Sequence, residues 1–126
     1  MKMLLAAASG GAIGAAGRYL VGVGAVRLFG LSYPWGTLIV NILGCLLMGV
    51  LIEAVALKYS ISNVTRTFLT TGILGGFTTF SAFALDFSVL LQRKDVIQAW
   101  AYLGGSVSLS IAALLAGLSL ARAILH

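Results

Sequence analysis

Hydroxyl and amide side chains recur at helical spacing inside apolar runs of this sequence: Thr37 and Asn41 lie four apart, as do Tyr102, Ser106 and Ser110. Residues four apart share a helix face, so each set forms a stripe of hydrogen-bond donors. In lipid such a stripe ordinarily bonds one helix to another; the other use is to line a polar pathway. Between the stripes runs Thr70-Thr71-Gly72-Ile73-Leu74-Gly75-Gly76-Phe77-Thr78-Thr79-Phe80-Ser81, with three glycines, four threonines and a serine. Gly-Gly beside β-branched threonine weakens a helix, which predicts an interruption over residues 75–79. At membrane depth, non-helical backbone persists only inside protein or beside water, which makes the segment a functional candidate. Phe77, Phe80 and Phe83 recur every three residues through it. Packing or lipid contact is the ordinary use of such a stripe, although the positive edge of each ring can also face an anion.

Other chemistries find little support. His126 is the only histidine and Cys45 the only cysteine, which disfavours a Ser-His pair, a zinc cluster and an intrachain disulfide. Cys45 reads as a small packing residue. The acids are Glu53, Asp86 and Asp95, and nothing in their spacing pairs two of them for hydrolysis. No glycine run matches a phosphate loop with its lysine. Arg18, inside an apolar run, has two roles open to it: raising anion concentration at a pore mouth, or pairing with a helix C-terminus or an acid.

The elements that position these residues follow from composition. The 126 residues are 60% hydrophobic and 9% charged, with a mean hydropathy of +1.09, far more apolar than a small water-soluble core requires. The pattern predicts a single all-α transmembrane domain over residues 1–126, with spans over 3–26, 34–57, 67–91 and 97–125, each long enough to cross a bilayer. The first ten residues imitate a secretory signal, but their apolar character continues to Val26, so a retained first helix is expected. Gly10 and Gly14 give the first span a face for close helix approach. The net charge of +5 is spread over span ends, not clustered on one face, and so points to membrane anchoring with no nucleic-acid partner. Lys2, Lys58, Arg66 and Arg122 fall on one side, and Arg18, Arg27, Arg93 and Lys94 on the other. This balance either hides a bias through misplaced span ends or signals dual topology, in which two copies inserted oppositely form a closed dimer.

The segments Gly14-x-x-x-Arg18-Tyr19, Pro34-Trp35-Gly36-Thr37-Leu38-Ile39-Val40-Asn41 and Thr71-Gly72-Ile73-Leu74-Gly75-Gly76-Phe77-Thr78-Thr79-Phe80-Ser81-x-Phe83, followed by Tyr102, Ser106 and Ser110, resemble the Fluc (CrcB) fluoride channels. Ala82 and Ala84 stand where relatives often carry hydroxyl residues. The resemblance covers all four spans. It implies a passive, fluoride-selective channel in the cell membrane, built as an antiparallel homodimer with two pores and a central structural Na⁺ that is not transported. By that likeness the backbone carbonyls of Gly75 and Thr78 hold the Na⁺, and Phe80 and Phe83 are the pore phenylalanines. Asn41 donates to fluoride, Tyr102, Ser106 and Ser110 form a polar track, Thr37 and Ser81 contribute further contacts, and Arg18 stands near the pore entrance. The alternative is a proton-coupled exporter of dual-topology type, in which Glu53 or Asp86 would carry the proton.

Overall fold

The computed structural model describes residues 1–125, and these form helices joined by short connections. In chain order they are α1 (Lys2–Phe29), α2 (Trp35–Leu57), α3 (Asn63–Thr67), a π-helical stretch (Phe68–Leu74), α4 (Gly75–Phe77), α5 (Ser81–Gln92) and α6 (Val96–Leu125). No strand occurs among the described residues. Lys2–Phe29, Trp35–Leu57, Asn63–Gln92 and Val96–Leu125 are long and apolar enough to cross a membrane.

Local chemistry sets the ends. The third span begins at Asn63, four residues before the expected start, because Ser62 caps it: its Oγ accepts the Thr65 N–H at 3.1 Å. The first span runs on to Phe29 and stops where Gly30 takes φ +82°, a left-handed conformation that costs glycine little. Pro34 occupies the cap of α2 and not its first turn. Between α5 and α6, Lys94 adopts φ 63°. The N–H groups of Lys94 and Asp95 reach back to the carbonyls of Leu91 and Leu90 at 3.0 Å, closing the helix end. Arg93 then donates to the Ser32 carbonyl at 2.7 Å, tying this turn to the α1–α2 connection.

Packing relies on missing side chains. A Cβ on Gly49 of α2 would overlap the Leu114 carbonyl of α6, and one on Gly117 of α6 would overlap the Leu46 carbonyl of α2. On the other side of the bundle, a Cβ on Gly10 of α1 would lie 2.8 Å from the Gly72 Cα of the π-helical stretch. Lipid tails are as apolar as leucine, so no hydrophobic effect drives these helices together; close backbone contact and its dispersion energy do. The outer surface agrees with this. Leu20, Leu28, Ile97 and Ile124 are each at least 66% exposed, an apolar coat that suits hydrocarbon and not water. The chain is a multi-pass membrane protein.

Gly49→Val and Gly117→Val are expected to destabilise the bundle by ~1–3 kcal/mol through backbone overlap. Gly104→Ala, which meets nothing within 4 Å, serves as the tolerated control. The fraction of monodisperse protein remaining after stepwise heating in detergent checks this ordering.

Candidate functional site

Helical hydrogen bonding lapses between α4 and α5. Thr78 is extended, with φ −83° and ψ 159°, and helix resumes at Ser81. Gly75 and Gly76, the residues expected to start the irregular stretch, are still helical, Gly75 with φ −64° and ψ −37°. The reason is packing. A Cβ on Gly76 would sit 2.7 Å from the Gly11 carbonyl, so the missing side chain admits α1 and does not loosen the turn.

Side chains replace the absent ladder. Asn41 Nδ2 donates to the Thr79 carbonyl at 3.0 Å, and its Oδ1 accepts the Thr79 N–H at 2.7 Å. One amide thus satisfies both polar groups of a single peptide residue. Arg18 Nε donates to the Gly76 carbonyl at 3.3 Å, so of the two roles open to Arg18 the helix C-terminus is the one with a bond. Thr79 Oγ1 accepts the Ala82 N–H at 3.1 Å, serving a first-turn donor of α5. No hydrogen bond among the described residues ends on the Gly75 or Thr78 carbonyls.

A groove of about 240 Å³ opens beside this segment. It is lined by Asn41 and Cys45 of α2, Thr78, Thr79, Phe80 and Phe83 of the third span, and Ser106, Val107 and Ser110 of α6. Ser106 is 4% exposed, and the hydroxyls of Ser106 and Ser110 are buried with no hydrogen-bond partner. Unpaired buried hydroxyls are costly and uncommon. Two of them line one groove, each with an unused donor. The phenylalanines differ sharply: Phe83 is 7% exposed and Phe80 77%, with ring centroids 5.5 Å apart.

Other predicted residues fall elsewhere. Tyr102 does not line the groove with Ser106 and Ser110. It is fully buried against Phe83, centroids 5.2 Å apart, and its hydroxyl donates to Asp86 Oδ2 at 3.2 Å. Ser81 is exposed, its Oγ 3.3 Å from Thr79 Oγ1, and it is outside the groove lining. Thr37 and Asp86 line a second cavity of about 250 Å³ with Tyr33 and Arg93. Burial there pushes the Tyr33 hydroxyl above its ordinary pKa. Arg18 and Arg27 line a third cavity of about 740 Å³. Thr37 belongs to both the second and third cavities, and Thr79 to both the third and the groove, so the three form a string. Glu53 is committed to an ion pair with Arg122 at 3.2 Å, linking α2 to α6. His126 lies outside the described residues. Cys45 reads from the sequence as a packing residue yet lines the groove, and its position four beyond Asn41 is the signal for this.

Comparison with known proteins gives this arrangement a setting. Residues 5–118 match the family model described as CrcB-like protein, Camphor Resistance (CrcB). Three relatives carry the name fluoride-specific ion channel FluC. That from Chelativorans sp. is 52% identical and covers 99% of this chain and 100% of its own. That from Cereibacter sphaeroides is 53% identical over 97% of this chain and 96% of its own. That from Rhizobium johnstonii is 48% identical over 98% and 99%.

Asn41→Ala removes both bonds to Thr79 and is expected to cost ~2 kcal/mol, since each buried hydrogen bond contributes about 1 kcal/mol and its loss strands a backbone group. Hydrogen exchange should then accelerate at residues 78–82 before it does in α2 or α6.

Proposed function

The chain belongs to the CrcB family, and on that premise we propose that it is a passive, fluoride-selective channel, not an enzyme, that lets cytoplasmic fluoride leave the cell. The observation that carries this reading is the pair of unpaired hydroxyls, Ser106 and Ser110, in a groove walled by Phe80 and Phe83. Fluoride is small and strongly hydrated, so a path for it must replace water with compact donors. Serine hydroxyls and the second N–H of Asn41 donate without fixing a positive charge. Conduction needs sites that bind weakly and in sequence, which a lysine in the same place would not provide. The positive edges of the phenylalanine rings add attraction that is weaker still. Thr37 and Thr79, shared between neighbouring cavities, mark the route, with the two arginines of the widest cavity at its mouth. Tyr102, bonded to Asp86, stands beside this path and fixes the position of Phe83. Ser81 reaches the path through Thr79.

The working unit is an antiparallel homodimer with two such pores. The balanced distribution of cations between the two sides supports dual insertion, and the 77% exposed Phe80 ring next to the groove is a surface for the second copy to cover. We further propose a structural Na⁺ between the copies, held by the carbonyls of Gly75 and Thr78 from each. Those residues fit a hard cation: no donor reaches either carbonyl, while those of Gly76 and Thr79 are taken by Arg18 and Asn41. Carbonyl oxygens freed where a helix is interrupted are suitable sodium ligands. Bound there, the ion would supply fixed positive charge at the two-fold axis.

The test is fluoride efflux from proteoliposomes driven by voltage without a proton gradient. Fast efflux is expected, and Phe80→Ile or Phe83→Ile should slow it by about tenfold or more, equivalent to ~1.4 kcal/mol of barrier, while the dimer still assembles. Glu53→Gln should retain efflux, because Glu53 holds Arg122. Efflux that requires a proton gradient and disappears with Glu53→Gln or Asp86→Asn would establish the exporter instead. Replacing Na⁺ with a large organic cation during purification should shift the protein from dimer to monomer; an unchanged dimer would remove Na⁺ from the assembly.

A further inference from the structure

Cys45 stands one helical turn beyond Asn41 and continues the face that begins at Thr37. It lines the groove together with Ser106 and Ser110, and its thiol lies beside the Ser110 hydroxyl without forming a geometrically sound hydrogen bond. The helix that carries it is fixed on both flanks: Gly44 packs against the Thr78 side chain and Gly49 against the Leu114 carbonyl. Every other polar atom lining this groove is a hard oxygen or nitrogen. Sulfur is the exception, a weak donor to fluoride and a strong ligand for soft metals.

We infer that Cys45 makes the groove a binding site for soft, thiophilic metal ions, with the mercuric ion as the representative of the class, and that an ion bound there closes the path. The closure rests on the channel reading; the binding does not. Mercuric chloride is neutral and so enters an apolar groove without the desolvation cost of a bare ion. The S–H bond of Cys45 breaks and an S–Hg bond forms. One chloride leaves the metal and the thiol proton leaves with it, and mercury stays divalent throughout. Mercury keeps its second chloride, and the Ser106 hydroxyl, 4% exposed and without a partner, and that of Ser110 line the same groove around the adduct. The adduct then occupies the donors that fluoride would use.

Full-length protein in liposomes is treated with about one equivalent of mercuric chloride per chain, and both its mass and its fluoride efflux are measured. Because Cys45 is the only cysteine, a gain of one mercury per chain is assigned to it without ambiguity. The expected result is that gain together with an efflux loss of about tenfold, both reversed by excess dithiothreitol. Cys45→Ser should gain no mercury and keep its own untreated rate, whatever that rate is; if that variant fails to fold, reversal by dithiothreitol in the native chain decides the matter. Mercurated protein that conducts at its previous rate overturns the closure. Folded protein that takes up no mercury, while detergent-denatured protein does, overturns the site. Absence of efflux from untreated protein sinks the channel reading, and the mass measurement still decides the metal site.

Discussion

A peptide group that leaves its helix at membrane depth has no water to bond, and the rest of this structure is arranged around that constraint. Between Phe77 and Ser81 the backbone gives up its ladder, and each freed group must find a partner within the protein or serve a ligand. Asn41 takes both polar groups of Thr79, and Arg18 takes the Gly76 carbonyl. An arginine inside an apolar bundle is costly until it is bonded. Here its bond meets the negative end of a helix, so two liabilities offset one another. The irregular segment is thereby pinned to α1 on one side and to α2 on the other.

That pinning requires the helices to approach closely, which explains where glycine is spent. Gly10 and Gly14 bring α1 against the third span, and Gly49 and Gly117 let α2 and α6 touch backbone to backbone. With α2 and α6 so close, the stripe that carries Asn41 and Cys45 faces the one that carries Ser106 and Ser110, and the groove is the space left between them and the phenylalanines. Its two serine hydroxyls gain no internal bond from this arrangement. A chain optimised only for stability would pair them or replace them with alanine. Left unpaired, they are the observation on which the proposed path rests.

The aromatic residues set a boundary to that groove. Phe83 and Tyr102 are buried together, Tyr33 packs edge-on to Tyr102, and Asp86 receives the Tyr102 hydroxyl. Phe80 touches this cluster through Phe83 and leaves most of its surface exposed. The groove is therefore walled by one buried and one exposed phenylalanine.

Much of this was legible in the sequence. Hydropathy over windows longer than a bilayer is thick determines the four spans, because burial of backbone polarity in lipid leaves helices as the only economical choice. Spacing of four determines the stripes Thr37–Asn41 and Ser106–Ser110, because that is the helical repeat. What the sequence could not decide is which partner each polar group takes. Gly75 and Gly76 have the composition of an interruption, yet α1 packs against Gly76 and both stay helical, so the irregular backbone falls at Thr78. Tyr102 shares its face with Ser106, yet Asp86, sixteen residues earlier, draws its hydroxyl out of the groove. Cys45 has the composition of a packing residue, yet the crossing of α2 and α6 turns it toward the serines. Helical periodicity is a property of a local segment and can be read along the chain; the pairing of polar groups depends on which segments meet in space, and only the tertiary structure decides that.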